Sequence, residues 1–254
     1  MFKNRIFRTV TLVLIIALML TGSVFAKNAP KYVFYLIGDG MGAAQRQITE
    51  LYKQAEQDCP AAKLSMNTFP IAGLITTYSS DTLVTDSAAA GTALACGYKT
   101  NNGMISQRPD GTNVTSLLEQ AQEKGLATGV VSTTRITHAT PAVFYSHHPN
   151  RNAENEIAEQ LVTANVDFVA GGGFRHFVPQ NGEFGKSKRK DDRNLFAEMQ
   201  EQGYATFIGA EDDAFDRYQP QPGDKAIALF TYSHIPYEVD RMNDTDTNVP
   251  SLEG

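Results

Sequence analysis

Apolar positions along the chain fall into short unbroken runs separated by stretches with helical spacing. Lys31-Tyr-Val-Phe-Tyr-Leu-Ile37 is continuous, rich in aromatic and β-branched residues, and ends at Gly38. That pattern predicts a parallel strand buried on both faces. Ile71 to Tyr78, Ala127 to Thr133, Val166 to Ala170, Thr206 to Ile208 and Ala226 to Tyr232 read as further strands. Helices are expected over about Ala43–Gln54, Asp86–Cys96 before Gly97, Val114–Lys124 before Gly125, Ala153–Ala164 and Leu195–Gln202. Strands alternating with helices predict an α/β fold: a doubly wound, mostly parallel sheet flanked by helices. Such sheets place ligands beyond the carboxyl ends of their strands, which would set Asp39 and the segment around His138 and Thr140 on one edge. Lys186 to Arg193 is a charge run, read as the solvated start of a helix. Thr245 to Gly254 is polar and closes no layer, so the sheet is expected to be incomplete at the C-terminus.

The N-terminus changes the picture of where the protein works. Lys3, Arg5 and Arg8 precede the apolar run Leu12–Leu20, and Val24-Phe25-Ala26 offers a small-residue cleavage site before Lys27. This reads as an export signal over residues 1–26, too short for a membrane span, which leaves residues 27–254 as part of one domain. The protein is therefore expected to be periplasmic or extracellular, with no stable membrane span after cleavage. Losing residues 1–26 removes three basic and no acidic side chains, taking the formal charge from −6 to −9. An acidic chain of this kind is not expected to bind nucleic acid. Cys59 and Cys96 are the two cysteines. No Cys-x-x-Cys spacing suggests a structural zinc site, and Cys96, within a small apolar segment, reads as a buried free thiol.

Two segments carry chemistry. Leu36-Ile-Gly-Asp-Gly-Met-Gly42 puts the carboxylate of Asp39 in a glycine loop after an apolar run. Thr85-Asp-Ser-Ala-Ala-Ala-Gly-Thr92 puts the hydroxyl of Ser87 at the start of a small-residue helix, with Thr85 and Asp86 both able to cap it. A hard oxygen ligand and a serine at a helix N-terminus suit phosphate esters, because metal and helix end both favour phosphoryl negative charge. Taken alone, the glycine loop reads equally as a turn or a dinucleotide loop. His147 and His148 are adjacent, so their side chains diverge, and they read as structural.

Tyr35–Gly42, Val84–Thr92, Gly97-Tyr-Lys-Thr-Asn-Asn-Gly103, Thr137-His-Ala-Thr-Pro-Ala142 and Phe168-Val-Ala-Gly-Gly-Gly173 together resemble the N-terminal half of an alkaline phosphatase, in the order that family has them. The resemblance implies a phosphomonoester hydrolase that works through a phosphoserine intermediate, with two zinc ions and one magnesium ion. It implies that Ser87 is the nucleophile and a metal ligand, that Asp39 bridges magnesium and zinc, and that Thr140 ligates magnesium. His138 would sit near the magnesium, through water. Arg151, thirteen residues past His138, matches the arginine that grips the phosphate in a bidentate fork. The resemblance also implies a homodimer for the full-length protein. Sulfatases share this architecture, but Cys59-Pro-Ala-Ala-Lys63 lacks their nucleophile motif, and the related phosphodiesterases tend to use threonine. The remaining metal ligands of the family lie in its C-terminal half. The alternative expectation is therefore a catalytically inactive fragment that binds phosphate or metal weakly.

Overall fold

The computed structural model describes residues 30–182, 184–209, 214–243 and 249–250. The export segment and nearly all of residues 245–254 lie outside them. The chain divides into two compact units, Met1–Thr68 and Phe69–Gly254.

In the first unit, helix α1 spans Ala43–Glu56, close to the expected span. The Gln45 side chain closes its start by accepting the Gly42 N–H at 3.1 Å. One oxygen of Glu50 accepts the Leu64 N–H at 2.9 Å and the Asn67 amide at 2.7 Å, which ties α1 to the single 3₁₀ turn Ser65–Thr68. Asp39 sits in the turn before α1, where the Met41 N–H donates to the Gly38 carbonyl at 3.2 Å. The expected strand over 31–37 is not formed: Val33, Phe34 and Leu36 are each at least 80% exposed. The run 71–78 in the second unit is likewise not a strand, with Leu74 fully exposed. A strand needs a neighbour for its backbone N–H and C=O groups, and none of the described strands pairs with either run. Apolar content predicts burial, but it does not supply the partner.

The second unit holds helix α2 (Ser87–Cys96), α3 (Leu117–Glu123), strand β1 (Gly129–Arg135), α4 (Ala139–Ala142), α5 (Glu154–Thr163), β2 (Phe168–Gly172), α6 (Leu195–Glu201), β3 (Tyr204–Ile208), β4 (Lys225–Leu229) and α7 (Glu238–Asn243). The four strands form one parallel sheet in the order β1-β2-β4-β3. Val130 pairs with Val169, Val169 with Ile227, and Phe207 with Ala228. The α/β class and parallel sheet match expectation. The strands are shifted by two residues toward the C-terminus in β1 and β2, because strand ends follow pairing rather than apolarity.

Ile157 and Leu161 of α5, Leu195, Phe196 and Met199 of α6, and Ile227 and Leu229 of β4 are fully buried and pack into one core. Phe177 stacks on Phe196 with ring centroids 5.6 Å apart. The charge run 186–193 is not a helix start. Arg189 within it is 3% exposed, donating to Asp191 at 2.6 Å and to Glu159 at 2.9 Å. Its methylene stem lies inside while its fork reaches two carboxylates, which is how a charge run hides an interior residue.

Candidate functional site

Ser87 opens α2, and Asp86 is the residue that caps it. One Asp86 oxygen accepts the Ala89 N–H at 2.8 Å, satisfying a helix donor that has no partner within the helix. The other accepts the Gly103 N–H at 3.0 Å and the Arg151 Nη1 at 3.0 Å. Gly103 has φ +86°, a left-handed backbone that lets its N–H face Asp86 while its carbonyl accepts the Arg151 N–H at 2.8 Å. Both the backbone and the side chain of Arg151 are thereby registered against the residue before Ser87. The ion pair is partly exposed, about a fifth to a quarter for each side chain, so its worth lies in orientation more than in stability.

Arg151 Nη2 lies 3.0 Å from His138 Nε2. A guanidinium only donates, so Nε2 accepts and the ring proton sits on Nδ1. That Nδ1 is buried and has no hydrogen-bond partner among the described residues. Burial, then the charges of Arg151 and Arg135, hold His138 below its ordinary pKa and keep it neutral. The two bonds of Arg151 use one proton on each terminal nitrogen, out of five N–H donors in the fork. Thr140 lies two residues on, in the single turn α4, which packs against α2.

These groups stand where a parallel sheet presents ligands. His138 follows the carboxyl end of β1, His176 follows β2, and His234 follows β4. The register of β1 against β2 slips between Val131 and Arg135, just before the site. At Gly172 a Cβ would lie 2.1 Å from the Ser233 carbonyl, so only glycine lets the 231–234 segment cross the end of β2. His234 thereby reaches His138 edge-on, with centroids 5.6 Å apart, and its Nε2 lies 2.8 Å from Arg135 Nη1.

Behind this layer Glu154 is a hub that sequence reading missed. It accepts Arg135 Nε and Nη2, each at 2.7 Å, and the Thr137 hydroxyl at 2.6 Å. Although burial opposes ionisation, Arg135 and Thr137 bring its pKa down to about 2. His176 is 3.4 Å from the same carboxylate, but it is not an ion pair. Its Nε2 accepts from Arg175 Nε at 3.2 Å and its Nδ1 donates to Asn155 Oδ1 at 2.7 Å, the pattern of a neutral ring. Burial takes its pKa down to about 4. His147 has the opposite surroundings: Nδ1 faces the Ser106 carbonyl and Nε2 faces Glu119 Oε1, each at 2.8 Å. Both partners only accept, so both bonds exist together only in the protonated ring, and the Glu119 bond raises its pKa. Adjacent His148 instead accepts the Asn150 N–H at 3.0 Å. The pair diverges as expected.

The structure thus joins Arg151 to His138 and to the residue preceding Ser87, with Thr140 on the adjoining turn. Asp39 belongs to the other unit. Both cysteines are free thiols, Cys59 exposed and Cys96 half-buried. Among the described residues no group of three His, Cys, Asp or Glu side chains forms a metal cage. No described helix is long and apolar enough to cross a membrane.

Residues 30–254 match the family model described as alkaline phosphatase. The repressible alkaline phosphatase of Saccharomyces cerevisiae is 37% identical over 243 residues, covering 90% of this chain and 42% of the yeast protein. The crystal structure of Thermus thermophilus alkaline phosphatase superposes with a TM-score of 0.72 at 35% identity, over 85% of this chain and 43% of that one. A variant of the alkaline phosphatase TAB5, whose structure is described as having magnesium bound in the M3 site, superposes with a TM-score of 0.62 at 34% identity, over 74% of this chain and 51% of that one. The chain spans about half the length of the relatives it matches. With a match that runs from residue 30 to residue 254, the chain belongs to the alkaline phosphatase family.

Proposed function

We propose that the protein containing this chain is an exported, metal-dependent phosphomonoester hydrolase in which Ser87 attacks phosphorus and becomes a phosphoserine. One observation carries the reading: the guanidinium of Arg151 is fixed through Asp86 to the first turn of the helix that Ser87 opens. A planar cationic fork beside a helix N-terminus is a receptor for a phosphoryl group. Arg151 binds two phosphoryl oxygens and orients the ester for in-line attack by the Ser87 oxygen. The leaving alcohol departs from the opposite face, and water then releases phosphate from Ser87.

Asp39, Ser87 and Thr140 are hard oxygen donors of the kind magnesium and zinc accept, and they are this chain's share of the ligands for two zinc ions and one magnesium ion. When bound, these ions neutralise phosphoryl charge and favour the serine alkoxide. His138, neutral with its proton on a buried Nδ1, suits a place beside the magnesium through water rather than direct ligation. The full-length protein would act as a homodimer, with residues 1–26 removed on export. The test is phosphate labelling: after incubation of the full-length protein with radiolabelled inorganic phosphate and acid quench, the label is expected on the peptide holding Ser87. Ser87→Ala should lose both label and turnover by orders of magnitude. Full turnover in that variant would defeat the assignment.

A second reading follows from the ligand set. Among the described residues no group of three His, Cys, Asp or Glu side chains completes a metal site, so residues 27–254 taken alone would bind phosphate or metal weakly without turnover.

A further inference from the structure

The segment Gly97–Gly103 has entered the site so far only through the Gly103 backbone, yet the Asn102 side chain also reaches the loop that delivers Ser87. We infer that Asn102 is the positioning residue that holds the Val84–Asp86 backbone, and through it Ser87, in the attacking geometry; this rests on the nucleophile role proposed above.

Asn102 uses both ends of its amide on that loop. Its Oδ1 accepts the Asp86 N–H at 3.0 Å, and its Nδ2 donates to the Val84 carbonyl at 2.9 Å. The two bonds span residue 85 like a clasp and pair the Asp86 N–H and the Val84 carbonyl without a strand. The clasp is itself anchored, because the Asn102 N–H donates to Asp81 Oδ1 at 3.0 Å and the Ser79 hydroxyl donates to the same oxygen at 2.8 Å. The Ser80 N–H donates to the Thr100 carbonyl at 2.9 Å. The 79–86 and 100–103 segments are thus stitched along their lengths, and the stitching ends one residue before Ser87. No other residue type offers an acceptor and a donor at this spacing on a side chain this short. Asn102 bonds the loop backbone directly and reaches Arg151 only through the Asp86 side chain, so it places the nucleophile more tightly than the phosphate.

The experiment uses Asn102→Ala and Asn102→Asp in the full-length protein. Four quantities are read: kcat and KM for a phosphate monoester, the inhibition constant of inorganic phosphate, labelling of Ser87 and the melting temperature. Asn102→Ala is expected to lower kcat about 100-fold, the scale of a misplaced reacting group, while the phosphate inhibition constant stays within about twofold. Asn102→Asp keeps the acceptor for Asp86 and loses the donor to Val84, so about tenfold is expected to be lost. It also covers the case in which the alanine variant does not fold. Wild-type kcat per folded molecule in either variant overturns the inference, as does a parallel collapse of kcat, phosphate inhibition and melting temperature. If the wild-type protein is not labelled at Ser87, the proposed function itself fails. If it is labelled and the variants turn over normally, only the role of Asn102 fails.

Discussion

Two histidines of this protein carry opposite pH signatures, and their partners explain why. His147 is held between two acceptors, so its pKa is raised. The stability it adds is complete below its ordinary value of 6.5 and is lost as pH rises through the raised folded value. His176 accepts from Arg175, and its folded pKa is about 4. The unfolded chain then binds a proton below pH 6.5 that the folded chain refuses, so stability falls as pH drops from 6.5 toward 4. Urea midpoints measured across this range should decline less steeply in His176→Gln than in the wild-type protein. An unchanged slope would show that the ring is already protonated in the folded state. At the phosphate, Arg151→Ala should weaken inhibition by inorganic phosphate more than Arg151→Lys, since lysine keeps the charge and loses the fork. Equal inhibition constants in all three proteins would return Arg151 to a structural role. Ser87 and Arg151 were singled out in the sequence by motif and spacing, and the fold brings Arg151 to the residue preceding Ser87. Asn102, Glu154 and His234 were not, because their partners lie 16, 19 and 99 residues away and meet only in the fold.

Among the elements, α3 shows how one residue joins a helix to the layer beneath it. The Ser116 hydroxyl accepts the Glu119 N–H at 3.2 Å, and Glu119 returns a 2.7 Å bond to the Ser116 N–H. The same hydroxyl donates to the Phe144 carbonyl at 2.6 Å, and Ser116 is fully buried. Ser116→Ala removes the cap and the bond from the hydroxyl to the Phe144 carbonyl, a loss of about 2 kcal/mol that chemical denaturation would register. A change under about 0.5 kcal/mol would place the cap elsewhere. The five expected helices were readable to within a few residues because caps and glycines mark their ends, whereas the short α4 and α7 were not expected. Strands 31–37 and 71–78 were misread because pairing is a property of two segments, whereas the sequence pattern belongs to one. Their exposed side chains form apolar surface of the kind that demands cover.

On the scale of the whole molecule, the α/β class was legible from alternation alone, since parallel strands require crossovers long enough to hold a helix. What alternation could not specify was strand order. Residues 27–254 expressed alone are expected to bind zinc weakly and to lack phosphatase turnover. Calorimetric titration with zinc, with an assay on the same sample, checks this: tight stoichiometric binding with turnover would reveal ligands outside the set named here. Strand order also has a consequence for biosynthesis. β4 is the last of the four described strands to be made, yet it lies between β2 and β3, which do not pair with each other. While the chain is being synthesised, β3 lacks its partner strand in this sheet until Leu229 has left the ribosome, although α6 can already pack on α5. Every earlier nascent chain would expose one side of β2 as an open edge that needs a chaperone or rapid export to stay unpaired. Arrested nascent chains ending shortly before and shortly after β4 clears the exit tunnel should differ sharply in protease resistance, and a gradual gain across the series would mean that β1 and β2 fold without waiting for their centre.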